Sequence, residues 1–173
     1  MFDLHAGRVY AYAARRTTSD AANEVVGETF LIAWRKLEAI PAESLPWLLN
    51  VAGKVLANRR RSEGRRSALV STLAAGSRSS ATFDPADEVP TRLAVEAALR
   101  RLPAAEREAL TLIAWDGLDI KAGAVAAGCS RATFSVRLHR ARKRLMKELG
   151  ISGHPRIGAP TTRSIASEEA KPG

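Results

Sequence analysis

Basic and amide side chains recur at helical spacing in two stretches of the sequence. In the first, Asn50, Lys54, Asn58 and Arg61 follow at intervals of four, four and three, and a basic run from Arg59 to Arg66 closes the stretch. In the second, Arg131, Thr133, Ser135, Arg137, Arg140, Lys143, Arg144 and Lys147 crowd one segment. Guanidinium and ammonium groups pair phosphates, while amides and hydroxyls hydrogen-bond base edges, so both stretches carry the chemistry of nucleic-acid recognition. A charged helix face is more often merely solvated. The long arginine run raises nucleic acid above that alternative, because repulsion among clustered cations needs an external offset.

Catalytic chemistry finds no comparable foothold. His5, His139 and His154 are scattered, and neither a phosphate-cradling glycine loop nor a metal-ligand spacing appears, so no enzyme, metal site or cofactor is expected. The single cysteine, Cys129, excludes an internal disulfide framework and a cysteine-based zinc cluster, and fits a reducing compartment. Lys and Arg number 27 against 18 Asp and Glu, a formal charge of +9 that favours a polyanionic partner. Residues 1–66 carry 11 basic and 7 acidic side chains and residues 91–149 carry 12 and 6, whereas residues 67–90 carry 1 and 3. The cations therefore sit on two separate patterns, unlike a single membrane-surface helix. Without a long apolar run or a basic segment leading into an apolar core, the chain is expected to be cytoplasmic, with no membrane insertion.

The elements that must position these residues are helical: apolar residues are dominated by Ala and Leu, and β-branched and aromatic residues are sparse. The expected fold class is all-α, two small helical domains joined by a flexible linker from Ser67 to Pro90, with a disordered tail from Gly150. With few large side chains available, Trp34, Trp47 and Trp115 are each expected to carry structural weight. Val26, Phe30, Ala33 and Leu37 repeat on one helical face, and Asp20 is placed to cap that helix. Glu24, Glu28 and Arg35 lie on its other side, either a solvated face or a docking surface for a basic partner. A turn from Ile40 to Ser44 leads to a helix with Pro46 in its first turn and Leu48, Val51 and Val55 inward.

In the second half, helices are predicted from about Thr91 to Arg101 and from Pro103 through Trp115, broken at Asp116-Gly117. A short helix capped by Asp119 runs to Ala127; Gly128-Cys129-Ser130 turns the chain, and Ser130 caps a last helix from Arg131 to about Leu149. This is a helix-turn-helix in a four-helix domain, with Phe134, Leu138, Ala141 and Leu145 facing the core. The pattern also occurs in plain bundles, so the charge is needed as a second clue. Gly123 inside the short helix costs about 1 kcal/mol relative to Ala and gives the core no side chain. Cys129 reads as a small buried filler.

Together the two halves resemble a known family. Asp20 to Leu37 (DAANEVVGETFLIAWRKL) resembles the core-polymerase-binding segment of bacterial RNA polymerase sigma factors, Trp47 to Arg61 (WLLNVAGKVLANRRR) their −10 segment, and Leu102 to Leu145 their −35 domain. Two such domains on one short chain are similar to the extracytoplasmic-function group. The resemblance implies a non-catalytic initiation factor with residues 1–66 as region 2, residues 67–90 as linker, residues 91–149 as region 4 and residues 150–173 as tail. It implies that Asp20, Asn23, Glu24 and Glu28 meet the basic clamp coiled coil of the largest polymerase subunit, and that the polymerase flap is a second contact. The loop from Ile40 to Ser44 with Trp47, Asn50, Lys54, Asn58, Arg59 and Arg60 would take the −10 element and an unstacked base. Arg131, Thr133, Phe134, Ser135 and Arg137 align with the −35 reading helix, Phe134 mainly as core, and Arg140, Lys143 and Arg144 follow it toward phosphates. Core RNA polymerase and promoter DNA are thus the implied partners, with an anti-sigma factor common in the group.

Several positions depart from the family pattern. Asn23 replaces a usual acid and Gly27 a usual glutamine, making the docking face less polar. Gly123 stands where a branched apolar residue is usual, and Ser135-Val136 where a Lys-Ser pair is usual, so an unusual −35 sequence or a looser domain is expected. The first helix begins about three turns late, which predicts either an upstream start or a trimmed first domain. The competing reading is a stand-alone dimeric helix-turn-helix regulator of palindromic sites, which leaves the acidic stripe unexplained.

Overall fold

The computed structural model describes residues 1–70 and 89–150. Among the described residues there are seven α-helices, α1 (Phe2–Ala14), α2 (Ser19–Arg35), α3 (Ser44–Val70), α4 (Val89–Arg101), α5 (Ala104–Ala114), α6 (Ile120–Ala126) and α7 (Arg131–Glu148), with a 3-10 turn at Leu37–Ala39. No strand occurs among the described residues. α1, α2 and α3 pack mutually, α7 packs on α4, α5 and α6, and α3 lies against α6. One apolar core therefore runs through both halves, from Val9, Val25, Leu48 and Val55 to Leu112, Leu118, Phe134 and Leu138.

Local chemistry sets the ends of the second-half helices. Trp115 caps α5, and Gly117, at φ +65°, turns the chain where a Cβ would be strained. The Asp119 carboxylate accepts from Ala122 N at 2.7 Å and the Ser130 hydroxyl from Thr133 N at 3.1 Å, each satisfying an amide that the first turn leaves unpaired. Gly128, at φ +64°, makes the turn between α6 and α7. On α7, Phe134, Leu138 and Ala141 are buried and Leu145 half-buried, as their spacing predicts. Leu48, Val51 and Val55 are likewise inward on α3, with Pro46 in its first turn.

The first half departs from expectation in several places. α2 starts at Ser19 behind Thr18, so Asp20 lies in the first turn, where a carboxylate favours the positive end of the helix dipole, rather than at the cap. The buried stripe of α2 is Ala22, Val25, Thr29 and Ala33; Val26 and Phe30 flank it and Leu37 is exposed beyond the helix end. Small side chains on that stripe let α1 and α3 approach α2 closely from two sides. Trp34 and Trp115 are 71% and 52% exposed, and only Trp47 packs against the core, whose large buried rings are those of Phe134 and Tyr12. α3 continues past Arg66 to Val70, since Ser67, Ala68 and Leu69 contain no helix breaker, and α4 begins at Val89. The middle of the expected linker and the tail after Gly150 lie outside the described residues.

Gly123 also reads differently in three dimensions. A Cβ there would stand 2.5 Å from Phe134 Cζ and 2.8 Å from Cε1, so the missing side chain is what lets the phenyl ring fill the space between α6 and α7. Cys129 is half-buried beside the core.

Candidate nucleic-acid and polymerase interfaces

α7 carries its cations away from its buried stripe. Arg131, Thr133, Ser135, Arg140, Lys143, Arg144 and Lys147 are exposed and Arg137 is half-buried. The Thr133 hydroxyl shares a 2.9 Å hydrogen bond with the Ser130 cap, which holds the first turn rigid below Arg131. Arg144 leans back on its own domain, with Nε 3.2 Å from the buried carboxylate of Glu106. Burial lowers the pKa of Arg142 on the same helix, a residue without an expected role.

The α3 set divides. Lys54, Asn58, Arg60 and Arg61 are exposed, and Arg61 donates to Asn58 Oδ1. Arg59 is half-buried and ion-paired with Glu24 of α2, so one residue expected at DNA and one expected at polymerase engage each other. A shallow cleft lined by Glu24, Glu28, Arg59, Ser62 and Glu63 marks this α2–α3 seam. Asp20, Asn23 and Glu28 are exposed on α2. Trp47 packs against the core, and Asn50 is turned inward, its Nδ2 donating to Ala126 O of α6 at 3.1 Å.

A group of polar residues between α1 and α5 was not apparent from the sequence. Tyr12 donates its hydroxyl to Glu108 Oε1 at 2.8 Å, and Arg16 bonds Glu108 Oε2 at 3.0 Å and Thr111 Oγ1 at 3.1 Å while stacking on the Tyr12 ring at 3.6 Å. Arg15 pairs with the Asp116 carboxylate and Arg8 donates to the Asp116 carbonyl. Burial raises the Asp116 pKa above its ordinary value against the opposing pull of Arg15 and Arg16, and burial, with Glu108 adding to it, raises that of Tyr12. These pairs join residues about a hundred positions apart, and neither partner belongs to a periodic pattern. The only sequence trace is the Arg15-Arg16 doublet at the end of α1.

Among the described residues, no cluster of three His, Cys, Asp or Glu side chains could hold a metal ion, and no helix is long and apolar enough to cross a membrane.

This arrangement can be compared with known proteins. Residues 92–145 match the family described as sigma-70, region 4. The chain is 32% identical over 159 residues to the ECF RNA polymerase sigma factor SigL of Mycobacterium tuberculosis, covering 88% of this chain and 90% of that protein. It is also 32% identical over 149 residues to the ECF RNA polymerase sigma factor EcfG of Rhodopseudomonas palustris, covering 83% and 80%. Among solved structures, the sigma factor RpoE from Bartonella quintana, in complex with the anti-sigma factor NepR, is similar with a TM-score of 0.65 and 25% identity over 88% of this chain and 96% of that one. CnrH, in complex with the cytosolic domain of CnrY, shares the fold with a TM-score of 0.54 and 20% identity over 88% and 86%. On the strength of the relatives that match along nearly its whole length, the chain belongs to the extracytoplasmic-function RNA polymerase sigma factors, which direct transcription initiation.

Proposed function

We propose that this sigma factor reads its promoter with two helices. α7 takes the −35 element: Arg131, Thr133, Ser135 and Arg137 on its first turns reach base edges, while Arg140, Lys143 and Arg144 contact phosphates. α3 takes the −10 element through Trp47, Asn50, Lys54, Asn58, Arg59 and Arg60. The α2 face with Asp20, Asn23, Glu24 and Glu28 docks on the basic clamp coiled coil of the polymerase, and residues 91–149 also engage the flap. In this division residues 1–66 act as region 2, residues 67–90 as linker and residues 91–149 as region 4. The protein acts in the cytoplasm, where its polymerase is, and catalyses no step itself. Capture by an anti-sigma factor is a further expectation, suggested by RpoE with NepR.

The observation that carries this reading is the exposed cationic side of α7, backed by the buried Phe134, Leu138 and Ala141 and started by the Ser130 cap. Co-migration with bacterial core RNA polymerase on a sizing column, followed by sequencing of the transcripts made by that complex, tests it. Transcripts sharing one upstream sequence are expected. A free protein that ignores polymerase and shifts palindromic duplex DNA as a dimer would instead make it a stand-alone regulator.

A further inference from the structure

We infer that Val136 is a specificity-determining residue: with Ala132 beside it, it reads the C5 methyl group of a thymine in the −35 element. The inference rests on the proposed −35 role of α7 and names what the centre of that helix recognises.

Successive side chains on an α-helix are set about 100° apart, at 3.6 residues per turn. Phe134, Leu138 and Ala141 define the buried side of α7. Val136 lies about 170° around the helix from the middle of that side, and Lys143 about as far. Ala132 comes next at about 150°, whereas Arg137 stands only about 70° away. Arg137 is accordingly half-buried, and Val136 is 48% exposed. The side chain that points straight away from the domain, toward the floor of a groove that admits the helix, is therefore an apolar one.

A single exposed apolar side chain is ordinary on a protein surface. Val136 is set apart by its company: Thr133, Ser135, His139, Arg140 and Lys143 around it are all exposed and polar, while α7 packs with its other side on α4, α5 and α6. A β-branched residue is also a weaker helix former than the Arg and Lys at the other exposed places on this helix. Neither burial nor helix propensity accounts for a valine here.

Along the outward ridge the chemistry changes from turn to turn. Ala132 and Val136, one turn apart and both exposed, present methyl groups at the start of α7; Arg140 and Lys143 present cations further on. The Thr133 hydroxyl is engaged by Ser130 at 2.9 Å, which draws a competing polar group back toward the cap. A helix-turn-helix sets the first turns of its second helix against base edges. Of the four bases only thymine carries a methyl group in the major groove, and an aliphatic contact there disfavours cytosine, whose N4 donor it leaves unpaired. Branching at Cβ holds both methyl groups of Val136 in one preferred rotamer, so little side-chain freedom is lost on contact. Arg140 and Lys143 then position the helix through phosphates, and Val136 discriminates.

The test uses the holoenzyme, assembled from core polymerase and the full chain, on the promoter mapped from its transcripts. Each thymine of the −35 element, on either strand, is replaced singly by deoxyuridine, which removes the C5 methyl and leaves every hydrogen-bonding group in place. One of these replacements should weaken binding of the parent about fourfold, the effect of withdrawing one methyl-sized group from an apolar contact. Val136→Ala should bind the thymine promoter several-fold less tightly and lose nothing further on the uracil promoter, because both changes remove the same contact. Alanine is the better helix former at this exposed position, so the variant keeps its fold, and circular dichroism verifies this.

An element built of G·C pairs alone, a uracil series without effect on the parent, or a uracil penalty kept in full by Val136→Ala would each overturn the inference. Failure of the underlying reading is seen separately with Arg140→Ala and Lys143→Ala combined. If that holoenzyme binds all the promoters more weakly while the uracil series is flat, α7 lies on the −35 element and only the thymine contact is wrong. If it binds and transcribes like the parent, α7 is not at the −35 element, and both fall.

Discussion

The ring of Phe134 occupies the place a side chain on Gly123 would need: an added Cβ would come 2.5 Å from Cζ and 2.8 Å from Cε1. Phe134 is fully buried, so its ring has no free direction in which to retreat. By helix propensity alone Gly123→Ala should stabilise α6 by about 1 kcal/mol. The clash reverses the sign, and overpacking of this kind costs about 1 to 3 kcal/mol. Urea denaturation of the variant should show a net loss of stability and a perturbed packing of α6 on α7. A gain in stability would mean that the ring is free to move.

Arg137 and Lys143 should separate base reading from phosphate pairing. Arg137→Ala should weaken promoter binding by the holoenzyme by about 1 to 3 kcal/mol and relax preference at one −35 position. Lys143→Ala should weaken all sequences alike and reduce the slope of log affinity against log salt by about 1. Affinity measured over a salt series on matched and mismatched promoters distinguishes them. An unchanged Arg137→Ala profile would remove that residue from the interface.

Glu28, exposed on α2, should matter only for polymerase. Glu28→Lys reverses charge against a basic partner and should slow association and lower affinity, most clearly at low salt. Competition with the parent protein for a limiting amount of core polymerase reads the effect. Equal competition would place the docking face elsewhere.

His5 gives the first half a pH dependence of known sign. Its Nε2 meets Ser44 Oγ at 2.9 Å, linking α1 to the start of α3, and burial lowers its pKa below the ordinary 6.5. The folded protein thus favours the neutral ring. Its contribution is complete above the unfolded value and is lost as pH falls through the lower folded one. Thermal unfolding midpoints should fall between about pH 8 and about pH 5, and His5→Gln should flatten that part of the profile. An identical profile for the variant would assign the dependence to other groups.

Much of the fold was legible because short-range chemistry fixes it. Asp119 and Ser130 precede their helices as cap residues do, Gly117 and Gly128 take positive φ where the chain turns, and Phe134, Leu138 and Ala141 keep one helical face. The α2 face was not legible in the same way. Its inward stripe includes Ala22 and Thr29 because close approach of α1 and α3 favours small side chains over the larger Phe30 and Trp34. Nor did any local rule reveal Arg16 beside Glu108 or Asn50 beside Ala126, contacts set by how two distant halves meet. For the site, Arg131, Arg140, Lys143, Arg144 and Lys147 of α7 are exposed and Arg137 is half-buried, whereas the α3 set splits between exposed Lys54 and inward Asn50.

Mapping DNA crosslinks from the assembled holoenzyme on its promoter tests the two-helix reading most directly. Photoreactive groups would be attached singly at Ser135 on α7 and at Lys54 on α3, both exposed. Crosslinks from Ser135 confined to the −35 element and from Lys54 to the nontemplate strand of the −10 element are the predicted result. Crosslinks from both positions to one element, or from neither, would contradict it.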